Sequence, residues 1–453
     1  MSSGRSVRPS PLSAGHVESS NRRQELTHLA KVSRNDSFFG SLSARQSSRF
    51  MKGTTMCTDE ESELASLVKD DSSGRLAAGL KVLKDIGGDG FAAPIAALAN
   101  VSEDLARLTI AFPYGEVLAR PGLELRERQI ITASILLAHG SAQSQLGFHL
   151  NGLLNVGGSH DDIVSLLYLS AGVLGFPAAI NAVPIARATL AQHNISRECG
   201  SETAQSAMHY SDQEGRAELE AVSPDFLKWK SQVFWHDLLG RCRLGGRLLH
   251  IAAAAMLATQ AKHPQGLEHH LRLALASGAT QSDIEELLIH VSVYAGFPSA
   301  LTAATVFSKV LAEPIRAFDE QPLATESRDD TERFSRGAET LAATSGGSGS
   351  EVVDTFADVA PELGRLIVAH CYGDVFSRQG LDPVTRELTA IAALTGMATV
   401  TAERPLRVHV DAALNLGVDP ERIIEAILNV LPYAGFPAIE KALNIARVSF
   451  NRR

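Results

Sequence analysis

Three stretches of the chain carry the same set of chemically active side chains at similar spacing. In each, an acid precedes an arginine by four residues, a second arginine opens the next predicted helix, and a histidine follows on the helix after that. The sets are Glu116, Arg120, Arg128 and His149; Asp237, Arg241, Arg247 and His270; and Asp374, Arg378, Arg386 and His409. Such groups transfer protons and hold anions. An acid and an arginine four residues apart also form an ordinary helical ion pair, and a structural salt-bridge network would repeat in the same way.

A common spacing of landmarks shows that these stretches are internal repeats. Gly157 follows His149 after eight residues, Ile163 after fourteen, and Gly175-Phe176-Pro177 begins after twenty-six. The same intervals separate the corresponding residues that follow His270 and His409. Agreement over four landmarks in three places indicates three copies of one structural unit.

Helical periodicity dominates each repeat, and the sequence predicts an all-α fold. In the first repeat, the apolar spacing predicts helices over residues 75–86, 105–118, 123–137 and 145–155. Gly157 ends the last of these, Ser159 caps the next helix, and Pro177 suits the first turn of another. A Gly/Ser segment at residues 346–350 is predicted to be an ordinary loop.

The composition divides the chain into six segments. Residues 1–70 are predicted to be a disordered tail, 71–195 the first repeat, 196–215 a linker, 216–317 a divergent second repeat, 318–333 a linker, and 334–453 the third repeat. The Arg- and Ser-rich start is consistent with a plain flexible tail, with a mitochondrial transit peptide, or with a true start at Met51 or Met56.

Charge and cysteine usage exclude several classes of function. The net charge is -9, and the first 53 residues carry nine basic and three acidic residues, so the rest of the chain is strongly acidic. An acidic body argues against nucleic acid as a partner. No apolar run approaches the roughly 20 residues that cross a bilayer, so no membrane partner is expected. Four scattered cysteines predict no disulfide framework and no zinc site, and favour the reducing cytoplasm.

The first repeat resembles the carboxymuconolactone decarboxylase family. The resemblance is carried by FPYGEVLARPGL at residues 112–123, followed by Arg128, His149, Gly157 and the Gly-Phe-Pro motif. It extends over residues 75–187 and 334–448, and more loosely over 234–310. It implies a small all-α unit that assembles as trimers or hexamers. Three units in one chain are therefore expected to form an intramolecular pseudo-trimer, and a homodimer would hold six units.

The resemblance implies a cofactor-independent lyase that uses no metal. Loss of CO2 from a carboxylated lactone, or a related enolate step such as isomerisation or cyclisation, requires stabilisation of an enolate and delivery of a proton. By resemblance, His149 is expected to donate the proton or to face the enolate. Arg120 or Arg128 would hold a substrate carboxylate, and Glu116 would orient His149 or shuttle the proton. The substrate would be a small carboxylated lactone or a β-keto or enone ring compound, and the triplication suggests a biosynthetic pathway.

The related peroxidase branch of the superfamily is a remote alternative. It carries a C-x-x-C that ends four residues before the histidine, for thiol redox chemistry. Here the two positions are Ala142 and Gln145 in the first repeat, and none of the three copies has a cysteine at either. The attacking thiolate is therefore missing.

The three copies are not equivalent. The first is expected to be the working site, and His409 with Asp374, Arg386 and Arg378 the candidate second site. The set of His270, Asp237 and Arg247 is expected to be degenerate, since Cys242-Arg243 replaces Pro121-Gly122 and two residues are missing before Arg247. A site between units could also mix residues from two copies. The alternative hypothesis, an inactive scaffold, predicts no pocket at His149. An enzyme predicts a mostly apolar pocket lined by Glu116, Arg120 or Arg128, and His149.

Overall fold

The computed structural model describes residues 74–195, 209–210, 220–313, 320–321, 330–397 and 402–452. The predicted tail and most of the two predicted linkers lie outside these ranges. The described chain is almost wholly helical, which confirms the all-α prediction. Within these ranges the strands are β1 (His209–Tyr210) and β2 (Glu320–Gln321), each of two residues, and they pair antiparallel.

The first repeat consists of seven α-helices and one π-helical segment. The helices are α1 (Arg75–Gly87), α2 (Ala93–Ala99), α3 (Glu103–Thr109), α4 (Leu125–His139), α5 (Gln143–Asn155), α6 (His160–Val173) and α7 (Phe176–Gln192). A short 3-10 turn, Gly88–Gly90, follows α1, and α3 continues as the π-helical segment π1 (Ile110–Leu118). The four helices predicted from apolar spacing agree closely with α1, with α3 and π1 together, with α4 and with α5.

The other two repeats follow the same plan. The second consists of α8 (Pro224–Trp229), π2 (Lys230–Leu238), the 3-10 turn Leu239–Arg241, α9 (Gly246–Gln260), α10 (Pro264–Ala276), α11 (Gln281–Tyr294) and α12 (Gly296–Ala312). The third consists of α13 (Asp330–Thr344), α14 (Gly347–Asp354), α15 (Pro361–Leu366), π3 (Ile367–Phe376), α16 (Pro383–Met397), α17 (Glu403–Asn415), α18 (Pro420–Leu428), α19 (Leu431–Ala434) and α20 (Phe436–Phe450).

Local signals explain where the histidine-bearing helices end and the next begin. Gly157 adopts a φ of 89°, a left-handed conformation that glycine accepts without strain. The Ser159 hydroxyl accepts a hydrogen bond from the Asp162 backbone N–H, and the Asp162 carboxylate accepts one from the Ser159 N–H. This capping box fixes the start of α6, as predicted for Ser159.

The acidic residue of each set lies on a π-helical segment. Glu116, Asp237 and Asp374 fall within π1, π2 and π3. Extra residues in a helical turn of this kind are frequent at functional sites. In the first repeat the segment crosses α1 closely, since a Cβ on Gly115 would lie 2.1 Å from the Arg75 carbonyl oxygen.

The Gly/Ser segment is not the loop that the sequence predicted. Residues from Gly347 onward form the first turn of α14. Glycine disfavours helix when exposed, but tertiary packing decides here. A Cβ on Gly349 would lie 2.4 Å from the Leu341 side chain, so glycine lets α14 pack closely on α13.

The hydrophobic core runs through all three repeats. One cluster of buried residues combines side chains such as Leu153, Leu238 and Leu363, one from each repeat. A second cluster joins the first two repeats, where Ile131 and Ile135 of α4 pack with residues of α9. No helix in the described ranges is both long enough and apolar enough to cross a membrane.

Candidate active site

Arg128 is the most deeply buried charged residue of the first repeat. It lies in the first turn of α4, and none of its surface is exposed to solvent. One terminal nitrogen, Nη2, donates to the Arg120 carbonyl oxygen at 2.9 Å and to Oε2 of Glu286 at 2.9 Å. Glu286 belongs to α11 of the second repeat, so the first repeat's arginine is paired across the boundary between repeats.

Glu286 bridges two arginines of the first repeat. Arg120 Nε donates to both of its carboxylate oxygens, at 2.8 and 3.0 Å. Burial acts to raise the pKa of Glu286, but hydrogen bonds and charges from Arg120 and Arg128 outweigh it, and the pKa lies below its usual value. The carboxylate is therefore ionised at neutral pH, and two guanidiniums share one negative charge. The trio carries a net positive charge.

Gly122 gives Glu286 the space to reach these arginines. A Cβ at this position would lie 2.7 Å from Cγ of Glu286, closer than real contacts allow. Glycine at position 122 of the first repeat is thus required by a residue of the second.

His149 lies beside this cluster and is held by Gln129. Its Nδ1 is 2.8 Å from Oε1 of Gln129, so Nδ1–H donates and Nε2 carries the lone pair. The ring is 3% exposed and packs edge-on against Tyr294, with 5.5 Å between ring centroids. Burial lowers the pKa of His149 to about 3. The imidazole is therefore neutral at physiological pH. Gln129, not Glu116, makes the orienting contact that the sequence had assigned to Glu116.

Two further groups come from the second repeat and were not predicted from the sequence. His290 and Tyr294 lie on α11 one and two turns after Glu286, and their rings stack with 5.3 Å between centroids. Burial lowers the pKa of His290 well below its usual value, and the nearby Arg128 and His149 lower it further. Burial raises the pKa of Tyr294 well above its usual value, as does nearby Tyr114.

The hydrogen bonds of Thr132 fix the tautomer of His290. The Thr132 hydroxyl donates to the Arg128 carbonyl oxygen at 2.9 Å, so its hydrogen is already used. His290 Nε2, 2.6 Å from the same hydroxyl oxygen, must therefore be the donor of that contact. The lone pair of His290 is consequently on Nδ1, which is buried.

Several polar atoms of the cluster have no hydrogen-bond partner among the described residues. They are Arg128 Nε and Nη1, Gln129 Nε2, and His290 Nδ1. Each buried polar atom left in this state costs about 1–3 kcal/mol, and native proteins hold few of them. Four such atoms on three neighbouring residues offer donors and an acceptor to a polar ligand.

The cluster is closed, in contrast to the open pocket predicted at His149. Arg128, Gln129 and His290 have no exposed surface. The α11 side chains of the second repeat fill the space that the first repeat alone would leave open. Arg120 marks the solvent edge, since 42% of its side chain is exposed. A small cleft lies elsewhere, between α4, α5 and α7, and is lined by residues such as Leu136, Leu146 and Ile185.

Glu116 is placed outside the contacts made by His149. It forms an ion pair with Arg75 of α1 and is partly exposed. The third repeat holds the same pair, Arg333 with Asp374, at 3.0 and 3.2 Å. The acid of each pair ties a π-helical segment to the first helix of its repeat.

Comparison with known proteins accounts for the repeats. The model of the carboxymuconolactone decarboxylase family matches residues 103–188, 224–309 and 361–448, over half of the chain. The chain belongs to the carboxymuconolactone decarboxylase family. It is 31% identical over 123 residues to 4-carboxymuconolactone decarboxylase of Acinetobacter baylyi, covering 27% of this chain and 90% of that protein. It is 41% identical over 89 residues to an uncharacterised 15.0 kDa protein of Paracoccus denitrificans, covering 20% of this chain and 66% of that protein.

The third family unit keeps the histidine and the arginine but changes the orienting group. His409 Nδ1 lies 2.7 Å from Oε2 of Glu387, a fully buried carboxylate at the position of Gln129. Arg386 donates to the Arg378 carbonyl oxygen at 2.8 Å, as Arg128 does to that of Arg120. Arg378 itself pairs with Asp225 of the second repeat at 2.6 Å.

Asp374, the acid predicted for the second site, lies in an ion-pair network. Besides Arg333 it contacts His370 Nδ1 at 3.1 Å. Burial acts to raise the pKa of Asp374, but hydrogen bonds and charges from His370 and Arg333 lower it to about 2. The carboxylate is therefore ionised at neutral pH, and both of these partners lie in the third repeat.

The second family unit has lost the arginine at this position. Arg247 pairs with Asp283 at 2.8 Å, which reproduces the pair of Arg126 with Asp162 at a spacing of 121 residues. Arg247 therefore corresponds to Arg126, and the equivalence to Arg128 proposed from the sequence is wrong. The segment before α9 is therefore not two residues shorter than the segment before α4, as the sequence had suggested. Leu249 occupies the Arg128 position.

His270 lies in a cluster with two other histidines, His250 and His269. Its Nδ1 is 3.1 Å from Nδ1 of His250, which occupies the Gln129 position. Burial lowers the pKa of His270 well below its usual value, and His250 and His269 lower it further. Asp237 is buried beside His236 at 3.0 Å. No group of three His, Cys, Asp or Glu side chains in the described ranges is arranged to hold a metal ion.

Acidification is expected to destabilise the protein because four buried histidines resist protonation. The pKa values of His149 and His250 are lowered to about 3, and those of His270 and His290 lie well below the usual 6.5. Below pH 6.5 the unfolded chain takes up protons that the folded chain does not, so the free energy of unfolding falls as pH falls. Each group contributes a slope of about 1.4 kcal/mol per pH unit between its folded and unfolded pKa values.

This expectation is checked by urea unfolding between pH 7.5 and 5.0. A His250→Phe/His270→Leu variant removes two of the four groups and leaves the first site untouched. Its free energy of unfolding should depend less steeply on pH than that of the wild type, whatever its absolute stability. Equal slopes would contradict the assignment of neutral, buried histidines.

Proposed function

We propose that the first repeat and α11 of the second together form an enzyme site. The site would catalyse decarboxylation, or a related enolate step, on a small carboxylated lactone or a β-keto or enone ring compound. Membership of the carboxymuconolactone decarboxylase family supports decarboxylase-like or lyase-like chemistry at family level. The observation that carries the proposal is the buried, net-positive cluster with unpartnered polar atoms next to a neutral imidazole.

The net charge of the cluster favours an anionic substrate. Arg128 keeps N–H groups on Nε and Nη1 that no described residue accepts. Hydrogen bonds between a guanidinium and a carboxylate or an enolate oxygen are charge-assisted and strong in a buried site. Arg128 would therefore bind the oxygen on which negative charge develops when the bond to CO2 breaks.

The two histidines would handle the proton. The bond to CO2 breaks with its electron pair passing into the conjugated carbonyl, and the enolate carbon then takes one proton. His149 is neutral in the resting protein. An anionic substrate beside it stabilises the imidazolium and raises its pKa, so the proton would be taken up together with the substrate. His149 Nε2 and His290 Nδ1 are the lone pairs positioned to receive it.

Measuring turnover tests the proposal directly. The purified chain is mixed with 4-carboxymuconolactone, the substrate named by the Acinetobacter relative, and with small β-keto acids, and CO2 release is followed. We expect His149→Ala to lower kcat by about 100-fold or more, the usual effect of losing a general acid or base. His263→Ala, which removes an exposed histidine, is the matched control and should keep full activity. Full turnover by His149→Ala would refute the proposed site.

The closed cluster favours a second candidate, an inactive scaffold. No open pocket is formed by Arg128, Gln129 and His290, which have no exposed surface. A scaffold would bind no anionic ring compound, so calorimetric titration with the same compounds separates the two functions. Binding that disappears in Arg128→Met supports the enzyme, and no binding by any compound supports the scaffold.

Thiol redox chemistry is disfavoured by the described cysteines. Cys242 is buried and Cys371 is half-buried. Burial raises the pKa of both thiols, that of Cys371 to about 12. Neither is a thiolate at neutral pH, and the thiolate is the reactive form.

A further inference from the structure

The first two repeats contact each other reciprocally. Arg120 and Gly122 of the first repeat lie against Glu286 of α11. At the corresponding place, the Arg243 backbone N–H of the second repeat donates to the Ser165 hydroxyl of α6 at 2.7 Å. Gly122 and Arg243 are 121 residues apart, as are Ser165 and Glu286, so each repeat presents the same two surfaces to the other. Such contacts are those of a two-fold pair.

The centre of this pair is formed by α4 and α9. Ile131 and Ile135 of α4, and Ala252 and Met256 at the corresponding positions of α9, have no exposed surface. Leu123 and Leu244, which precede the two helices, are 5% and 6% exposed. The face is therefore fully covered in both repeats.

The third repeat carries the same face uncovered. Thr389 and Ala393 of α16 correspond to Ile131 and Ile135, and both are exposed. Leu381, which corresponds to Leu123, is 49% exposed. The third repeat contacts the first through a different surface, where Arg187 pairs with Asp358. It contacts the second through Arg378, which corresponds to Arg120 and pairs with Asp225.

The uncovered face also leaves complementary charges without partners. Glu425 of α18 corresponds to Glu286; it is exposed, and no described residue forms an ion pair with it. Arg386, which corresponds to Arg128, donates to the carbonyl oxygens of Leu381 and Arg378 but has no described carboxylate partner. Tyr433, which corresponds to Tyr294, is 88% exposed.

We infer that a second copy of this chain covers this face, so that two chains pair through their third repeats. In that pair the partner's Glu425 lies against Arg386, as Glu286 lies against Arg128. The partner's Tyr433 lies near His409, as Tyr294 lies near His149. The site around His409 and Glu387 is incomplete in one chain and is completed by the other.

The occupant is a second copy because this face carries both an acid, Glu425, and an arginine, Arg386, so that it can form ion pairs with the same face of another chain. A two-fold pair of third repeats places Glu425 of each chain against Arg386 of the other, which forms two ion pairs at once. The first two repeats already pair through the corresponding surfaces, in the same two-fold arrangement. A partner of other chemistry would have to supply an acid, an arginine and an apolar strip in matching positions.

The mass of the assembly in solution tests the inference, and the readout does not depend on whether the first site is an enzyme. Analytical ultracentrifugation of the full chain at micromolar concentration should show a dimer. Ala393→Arg places a charge at the centre of the face and should give a monomer. Glu425→Lys sets like charges against Arg386 and should weaken the dimer at least tenfold. Because both residues are exposed in the single chain, thermal unfolding at low concentration should change little.

A matched substitution on another exposed apolar surface completes the test. Leu301 of α12 is 66% exposed and lies outside this face, so Leu301→Arg should remain a dimer. A monomeric wild type would overturn the inference. So would a dimer that persists in Ala393→Arg, or one that is lost in Leu301→Arg alone.

Discussion

Arg128→Met is expected to lower kcat/KM for an anionic substrate by about 100- to 1,000-fold, the usual effect of removing one donor that stabilises developing charge. Methionine keeps much of the side chain's volume but removes every hydrogen bond that Arg128 would offer to the substrate. The fold should tolerate the change, because Glu286 retains Arg120 as its partner at 2.7 Å. Removing one partner of a buried ion pair is costly when the other charge is left unpaired, and Arg120 prevents that here.

The matched control for this prediction is Arg126→Met, two residues earlier on α4. Arg126 pairs with Asp162 at 3.0 Å and lies outside the cluster. This variant should lose some stability at the start of α6 and keep turnover. Steady-state kinetics and urea unfolding on both variants give the comparison. If Arg128→Met turned over substrate like the wild type, the cluster would have no part in catalysis.

Glu286→Gln is expected to have the largest effect on stability, a loss of about 3–5 kcal/mol in the free energy of unfolding. The substitution leaves Arg128 fully buried with no carboxylate, and a buried charge without its partner is costly. The exposed neighbour Glu285→Gln is the control, and it should stay within about 0.5 kcal/mol of the wild type.

A double-mutant cycle decides whether the loss comes from the stranded charge. Adding Arg128→Met to Glu286→Gln removes that charge, so the double variant should recover most of the lost stability. Additive effects of the two substitutions would show that Glu286 stabilises the protein by some other contact. Urea unfolding at pH 7.5 measures all four proteins on one scale.

Much of the first repeat could be predicted from spacing alone. The intervals after His149 located the repeats, and Ser159 and Gly157 marked real helix boundaries. These signals are local, because they depend on residues a few positions apart. The burial of His149 also agrees with its place on a helix rich in apolar residues.

The groups that complete the site could not be predicted, because they come from another repeat. Aligning the three copies shows which positions correspond. It gives no information on which helix of one unit contacts which helix of another. A signal was present nonetheless. Glu286 is charged where α6 has the small Ser165, and His290 is polar where α6 has the apolar Leu169. Polar residues one turn apart on an apolar helix indicate a buried polar partner.

The misassignment of Arg247 has a similar origin. The sequence offered two arginines in α4, Arg126 and Arg128, and only one in α9, so residue type alone favoured the wrong match. The strict spacing of 121 residues, together with the capping acids Asp162 and Asp283, gives the correct register. A constant spacing along the chain is a better guide to corresponding positions than a shared residue type.

Because the three units are joined in one polypeptide, each unit can have its own sequence. In an assembly of identical single-unit chains, any residue that one subunit lends to its neighbour's site must also appear in its own, since both are encoded once. Here α11 can carry Glu286 and His290 while α6 keeps Ser165 and Leu169. Selection could therefore turn one unit into a dedicated donor of side chains, at the expense of its own reactivity, without altering its sister.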